Sequence, residues 1–154
     1  MARTIGSIEP RDDEYFMKIA AKEGMKGIDK QYGGPFGAIV VKEGIVVGKS
    51  ADKTNKSGLP TQHATILAIE NACKFLNTRD LTGCKLYTTS ELCLMCYGAC
   101  INANISEIVY ADTQAVDFDY ENQRLGYVKV PEYSISNYKS KELMYNYIVS
   151  RRNV

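Results

Sequence analysis

Residues 85–110, KLYTTSELCLMCYGACINANISEIVY, decide the fold, because an apolar run at 85–89 and another at 107–110 flank a helix-like stretch at 93–103. Strand, helix and strand in that order require a crossover on one face of a sheet, so the two strands are expected to run parallel. The helix opens on Cys93 and Cys96, which places two sulfurs in its first turn.

Upstream, Thr61 can cap a helix over 62–76, where Ala64, Leu67, Ala68, Ala72 and Phe75 recur at helical spacing. Short β-branched runs at 36–41 and 45–48, joined through Glu43-Gly44, read as a hairpin, and Gly33-Gly34-Pro35 breaks the chain before them. A polar loop is expected over 51–60. Asp12 and Asp13 can cap a first helix with Phe16, Ile19 and Ala20 on one face, with Gly24 and Gly27 marking its end. Past Ala111 the pattern gives a short strand near 127–130 and a terminal helix over 139–150. Strand and helix alternation predicts an α/β domain of three layers, α/β/α. No repeat, low-complexity tract or linker divides the 154 residues, so residues 1–154 are expected to form a single domain.

Lys and Arg number 19 against 18 Asp and Glu, leaving no general excess of positive charge to neutralise a phosphate backbone. Nucleic acid is therefore not the expected partner. No apolar run has the length to span a bilayer and the first ten residues lack a secretory pattern, so a cytoplasmic protein without a membrane partner is expected. Five cysteines, two of them spaced Cys93-x-x-Cys96, point in that setting to reduced thiols and to metal or redox chemistry.

Cys93 and Cys96 at a helix amino terminus suit zinc, since the end of the helix favours thiolates and the turn presents both sulfurs to one ion. A redox dithiol or two core cysteines would leave the same pair. His63 is the only histidine, and alone it would read as a packed core residue. Its place in the first turn of one helix, 30 residues before a cysteine pair in the first turn of another, lets two helices aim three ligands at one Zn2+ per chain. Three protein ligands leave a fourth position for water, as in catalytic sites. Cys100, one turn further along the helix, is expected to pack in the core, as are Cys73 and Cys84.

His63-Ala64-Thr65 with Cys93-Leu94-Met95-Cys96 resembles the His-x-Glu and Pro-Cys-x-x-Cys signature of zinc-dependent nucleobase deaminases, the cytidine and deoxycytidylate deaminase superfamily. Gly33-Gly34-Pro35-Phe36-Gly37-Ala38, Leu86-Tyr87-Thr88-Thr89-Ser90-Glu91 and Tyr97-Gly98-Ala99 look like guanine deaminases in particular. The resemblance covers about residues 12–120. It implies a cytidine-deaminase-like α/β/α sandwich with a mixed central sheet, a zinc-bound hydroxide and a cleft for a flat purine-like ring. It also implies a homodimer with exchange of the carboxy-terminal segment.

The resemblance breaks at Thr65, which stands where the family has the glutamate that shuttles protons. A threonine hydroxyl can orient a water but near neutral pH cannot hold and release a proton as a carboxylate does. Leu92 and Leu94 stand where the family usually has prolines. Glu91 matches a glutamate preceding the first zinc cysteine, where a hydrogen-bonding role beside the metal is the natural one. Asp52 falls where guanine deaminases place a ring-contacting asparagine. Tyr120 falls near a substrate-contacting aspartate, with Asp119 just before it, and Phe36 is a candidate for lining the base pocket.

Two functions follow as expectations. One is a zinc-dependent aminohydrolase acting on a purine or related amino-heterocycle with impaired or altered proton transfer. The other is a catalytically inactive protein of the same fold that binds a base or serves as a partner subunit.

Overall fold

The computed structural model describes residues 13–90, 92–111 and 132–135. A first helix, α1 (Asp13–Asp29), leads into a hairpin of β1 (Gly37–Lys42) and β2 (Ile45–Ala51). A single turn, α2 (Thr54–Ser57), precedes α3 (Ala64–Leu76), β3 (Cys84–Thr88), α4 (Leu94–Ala103), β4 (Glu107–Ala111) and β5 (Glu132–Ile135). The strands form one sheet in the order β2-β1-β3-β4-β5. β1 pairs antiparallel with both β2 and β3, whereas β3 with β4 and β4 with β5 are parallel. The sheet is thus mixed, and the strand-helix-strand unit read at 85–110 supplies its parallel half.

Helices cover both faces, which explains why β1 reads Gly-Ala-Ile-Val-Val with no polar alternation. Ala38 and Val40 join Leu86 and Ile108 under α3 and α4, while Ile39 and Val41 join Tyr87 and Val109 under α1. This is the three-layer α/β/α arrangement. The hairpin turns on Glu43 and Gly44 at φ 51° and 80°, the positive pair that matches the twist of the strands.

Gly24 and Gly27 do not end α1, which runs on to Asp29 with both glycines buried. They are there for close approach. A Cβ on Gly24 would lie 3.1 Å from the Gly37 nitrogen, and one on Gly27 would lie 2.6 Å from the Ala51 Cβ. α3 starts two residues later than expected, with His63 rather than Thr61 in the cap position. Its buried stripe is Ala64, Thr65, Ala68, Ile69 and Ala72, and Phe75 is 69% exposed instead of sharing that face. The strand expected near 127–130 and the helix expected over 139–150 lie outside the described residues; β5 is found at Glu132–Ile135. Among the described residues no helix is long and apolar enough to cross a membrane.

Candidate metal centre

The pairings bring the start of β1, the end of β2 and the end of β3 to one edge of the sheet, since Gly37 lies opposite Ala51 and Ala38 opposite Thr88. That edge is where α3 and α4 begin, because each follows a chain segment leaving it. Ligand sites in α/β sheets gather at such strand ends. Thr89, fully buried, clamps the edge: its amide donates to the Gly37 carbonyl at 3.0 Å and its hydroxyl accepts from the Gly37 amide at 3.0 Å. Sequence reasoning passed over Thr89; two threonines and a serine directly after an apolar strand were the signal.

His63 caps α3 and Cys93 caps α4, each in extended conformation. The His63 Nδ1 atom lies 3.7 Å from the Cys93 sulfur and 3.5 Å from the Cys96 sulfur, and the three donor atoms fall within 4.8 Å of one another. Tetrahedral zinc, at about 2.3 Å from sulfur and about 2.05 Å from nitrogen, would set such nitrogen–sulfur distances at about 3.6 Å. The donor set therefore fits zinc in chemistry and in spacing. Cys100 is fully buried in the core beneath α4 and stands outside the group, as do buried Cys84 and half-buried Cys73.

Electrostatics at the cluster favour a charged pair. A hydrogen bond from the Cys96 thiol, with His63 and the Cys96 amide adding to it against the cost of burial, holds the Cys93 thiol down at about 4. The same hydrogen bond, together with burial and the Cys93 charge, pushes Cys96 well up. One proton is thus shared unequally between the two thiols. His63 is raised, chiefly by its hydrogen bond to Cys93, with charges on Cys93 and Asp52 also favouring its proton. The Ile66 amide, in the first turn of α3, supports the Cys96 sulfur.

Thr65 sits in that same turn and is 3% exposed. Asp52, 6% exposed, spends its carboxylate on the surrounding loop: Oδ2 accepts from the Gly34 amide at 2.9 Å and the Thr54 hydroxyl at 3.3 Å, and Oδ1 from the Thr54 amide at 3.1 Å. Gly33 is required beside it, since a Cβ there would meet the Asp52 carboxylate at 2.8 Å. Phe36 is half-buried against the core under α3 and α4, and its carbonyl accepts from the Asp52 amide at 3.0 Å. The structure so gathers His63, Thr65, Cys93, Cys96, Phe36 and Asp52 at one edge. Glu91, Asp119 and Tyr120 lie outside the described residues.

Residues 10–112 match the cytidine and deoxycytidylate deaminase zinc-binding region. A tRNA-specific adenosine deaminase of Aquifex aeolicus is 41% identical over 98 residues, 64% of each chain. The guanine deaminase of Bacillus subtilis is 40% identical over 98 residues, 64% of this chain and 63% of the relative. The chain thus spans just under two thirds of the length of these curated relatives. Among solved structures, the Bacillus subtilis guanine deaminase superposes with a TM-score of 0.64 at 39% identity, covering 65% of this chain and 64% of that one. A structure from work on A-to-I editing by tRNA:A34 deaminases at the wobble position superposes with a TM-score of 0.71 at 30% identity, covering 79% and 92%.

Proposed function

This chain belongs to the cytidine and deoxycytidylate deaminase zinc-binding family, and on that premise we propose that it is a zinc-dependent aminohydrolase of a purine, guanine-like, or a related amino-heterocycle, with proton transfer impaired or altered at Thr65. The observation that carries this reading is the His63, Cys93 and Cys96 group at the edge of the sheet. Three protein donors leave one position of a tetrahedral ion for water. Bound zinc supplies the acidity that makes water a nucleophile near neutral pH.

The residues of the chain do the rest. The reaction turns an amine-bearing ring carbon into a carbonyl and releases ammonia, so protons must pass from the attacking water to the leaving amine. Thr65 occupies the position where the family signature has its glutamate, and its hydroxyl can orient the water without carrying those protons. Phe36 and Asp52 form part of the ring pocket, Asp119 and Tyr120 are the further positions assigned to it, and Glu91 is assigned a hydrogen-bonding role beside the metal. Asp52 holds the loop of the pocket in place through its three hydrogen bonds.

Thr65 also supports a second reading, in which the chain keeps every ligand but binds a base without converting it, or serves as a partner subunit. The names of the relatives cover both a free base and a base within RNA, so near-neutral overall charge does not exclude an RNA substrate. We further assign it a homodimeric assembly with exchange of the carboxy-terminal segment. A screen of free purines and amino-heterocycles for ammonia release separates the readings. Release above a His63→Ala control supports the enzyme, and release from none together with a thermal shift induced by a base supports the binding protein.

A further inference from the structure

The two sulfur ligands stand one helical turn apart in the same segment of chain. Cys93 caps α4 and Cys96 lies in its first turn, and both sulfurs and the His63 Nδ1 atom fall within 4.8 Å of one another. Residues three apart across a first helical turn hold their Cα atoms about 5.5 Å apart, inside the span of about 4.4–6.8 Å that a disulfide bridges. Little backbone movement therefore separates this pair of thiols from a bond.

Access favours an order of reaction. Cys93 is half-buried, whereas Cys96 is 3% exposed and Cys84 and Cys100 are fully buried. A solute that reaches the metal centre thus meets Cys93 first, with Cys96 directly behind it. Cys73 is also half-buried, but it sits towards the far end of α3 and outside the donor group. Leu94 is the first residue of α4, and Cys93 before it is extended, at φ −77° and ψ 169°. A proline in place of Leu94 would confine Cys93 to that conformation; leucine leaves the backbone free to turn the sulfur towards Cys96.

From this arrangement we propose that the metal centre is a redox switch, in which a peroxide joins Cys93 to Cys96 as a disulfide and zinc is released. The Cys93 thiolate attacks one peroxide oxygen, the O–O bond breaks, and the departing hydroxide takes a proton from solvent to leave as water. The Cys96 thiolate then attacks the sulfur of the Cys93 sulfenic acid, forming the S–S bond and expelling the hydroxyl, which takes a second proton and leaves as water. The two sulfurs together lose the two electrons that the peroxide gains. His63 remains as a single donor, too few to hold the ion. A dithiol reductant reverses the change through a mixed disulfide and returns both thiols. The switch rests on the ligand set and holds whether or not the protein converts a base.

Hydrogen peroxide added to the zinc-loaded full chain tests it, with released metal read by a chelating dye, free thiols counted after denaturation, and the cysteine peptides mapped by mass. About one zinc per chain should appear in solution, and free thiols should fall from five to three. The peptide holding Cys93 and Cys96 should be lighter by two hydrogens, and a dithiol should restore the thiols and the capacity for zinc. Cys73→Ser should respond as the parent does. Leu94→Pro should slow the loss of thiols at least about threefold with zinc content kept, since proline is tolerated at a first helical position. Cys93→Ser would itself weaken zinc binding, so the metal-free parent serves as the second measurement and should form the same Cys93–Cys96 bond. Zinc retained while thiols are lost elsewhere would overturn the proposal. So would oxidation of Cys93 to a sulfinic acid that the dithiol does not reverse, or a disulfide between two chains in place of the one within α4.

Discussion

The Nδ1 atom of His63 lies 3.5 Å from the sulfur of Cys96, although the two residues are 33 positions apart and open different helices. The sheet makes this meeting possible, by setting the starts of α3 and α4 at one edge. Zinc should therefore bind at about one ion per chain, and replacing His63, Cys93 or Cys96 by alanine should lower metal content and thermal stability together. Cys73 lies ten residues from His63 along α3, about 15 Å at the helical rise. Cys73→Ser should keep its zinc by metal analysis after dialysis, and a loss equal to that of His63→Ala would refute the ligand set.

The charges of the empty-handed donors predict what zinc displaces. In the metal-free protein Cys93 is held down at about 4, so it is already a thiolate at neutral pH, whereas Cys96 is pushed up and keeps its proton. His63 is raised above its usual 6.5 and contributes stability as a cation below that value, stability that fades as pH rises through its folded pKa. The lowered Cys93 contributes in the opposite sense, its share being lost as pH falls through about 4. Zinc requires neutral imidazole and two thiolates, so uptake slightly below pH 6.5 should release about two protons, one from His63 and one from Cys96. Titration in weak buffer measures this. Release of about three protons would show that Cys93 is not a thiolate beforehand.

The packing of α3 against β2 predicts a sharp steric limit. A Cβ at Gly48 would press on the Ala68 carbonyl and lie 2.6 Å from the Ala72 nitrogen, both backbone atoms of α3. Gly48→Ala should push the helix outward and cost about 1–3 kcal/mol, read by denaturant unfolding. A stability equal to that of the parent would mean that α3 stands further from the sheet.

Assembly is tested in solution. The segment at 138–149 carries Tyr138, Leu143, Met144, Tyr147 and Ile148, apolar side chains that call for a cover. Light scattering at micromolar concentration should give a dimer, and truncation after Asn137, which spares β5, should disturb it. A monodisperse monomer of the full chain would contradict the exchanged dimer.

Which parts of this were legible follows from how local each signal is. The parallel half of the sheet could be read from 85–110 because both strands are buried on two faces and hence continuously apolar. The metal group could be read because zinc demands particular side chains at helix starts. Gly24 and Gly27 misled because a glycine that ends a helix and one that lets a strand approach look alike in sequence. Phe75 misled because helical spacing fixes a stripe but not which neighbour covers it. The hold of Asp52 on Gly34, and of Thr89 on Gly37, join residues 18 and 52 positions apart and left no local pattern.

The central claim is that the site keeps its metal ligands and lacks its proton carrier at Thr65, a 3% exposed residue in the first turn of α3. General acid/base groups are worth on the order of 10² to 10⁴ in rate, and one residue here would have served several transfers. Ammonia release from guanine and other purines, compared between the parent protein and Thr65→Glu at equal zinc content, is the direct measurement. Release by the parent should be very slow, and for some purine it should rise at least about tenfold in the variant. A parent that deaminates a purine at ordinary enzymatic rates, and is slowed by Thr65→Glu, would contradict it and turn attention to Asp52, Glu91 and Asp119.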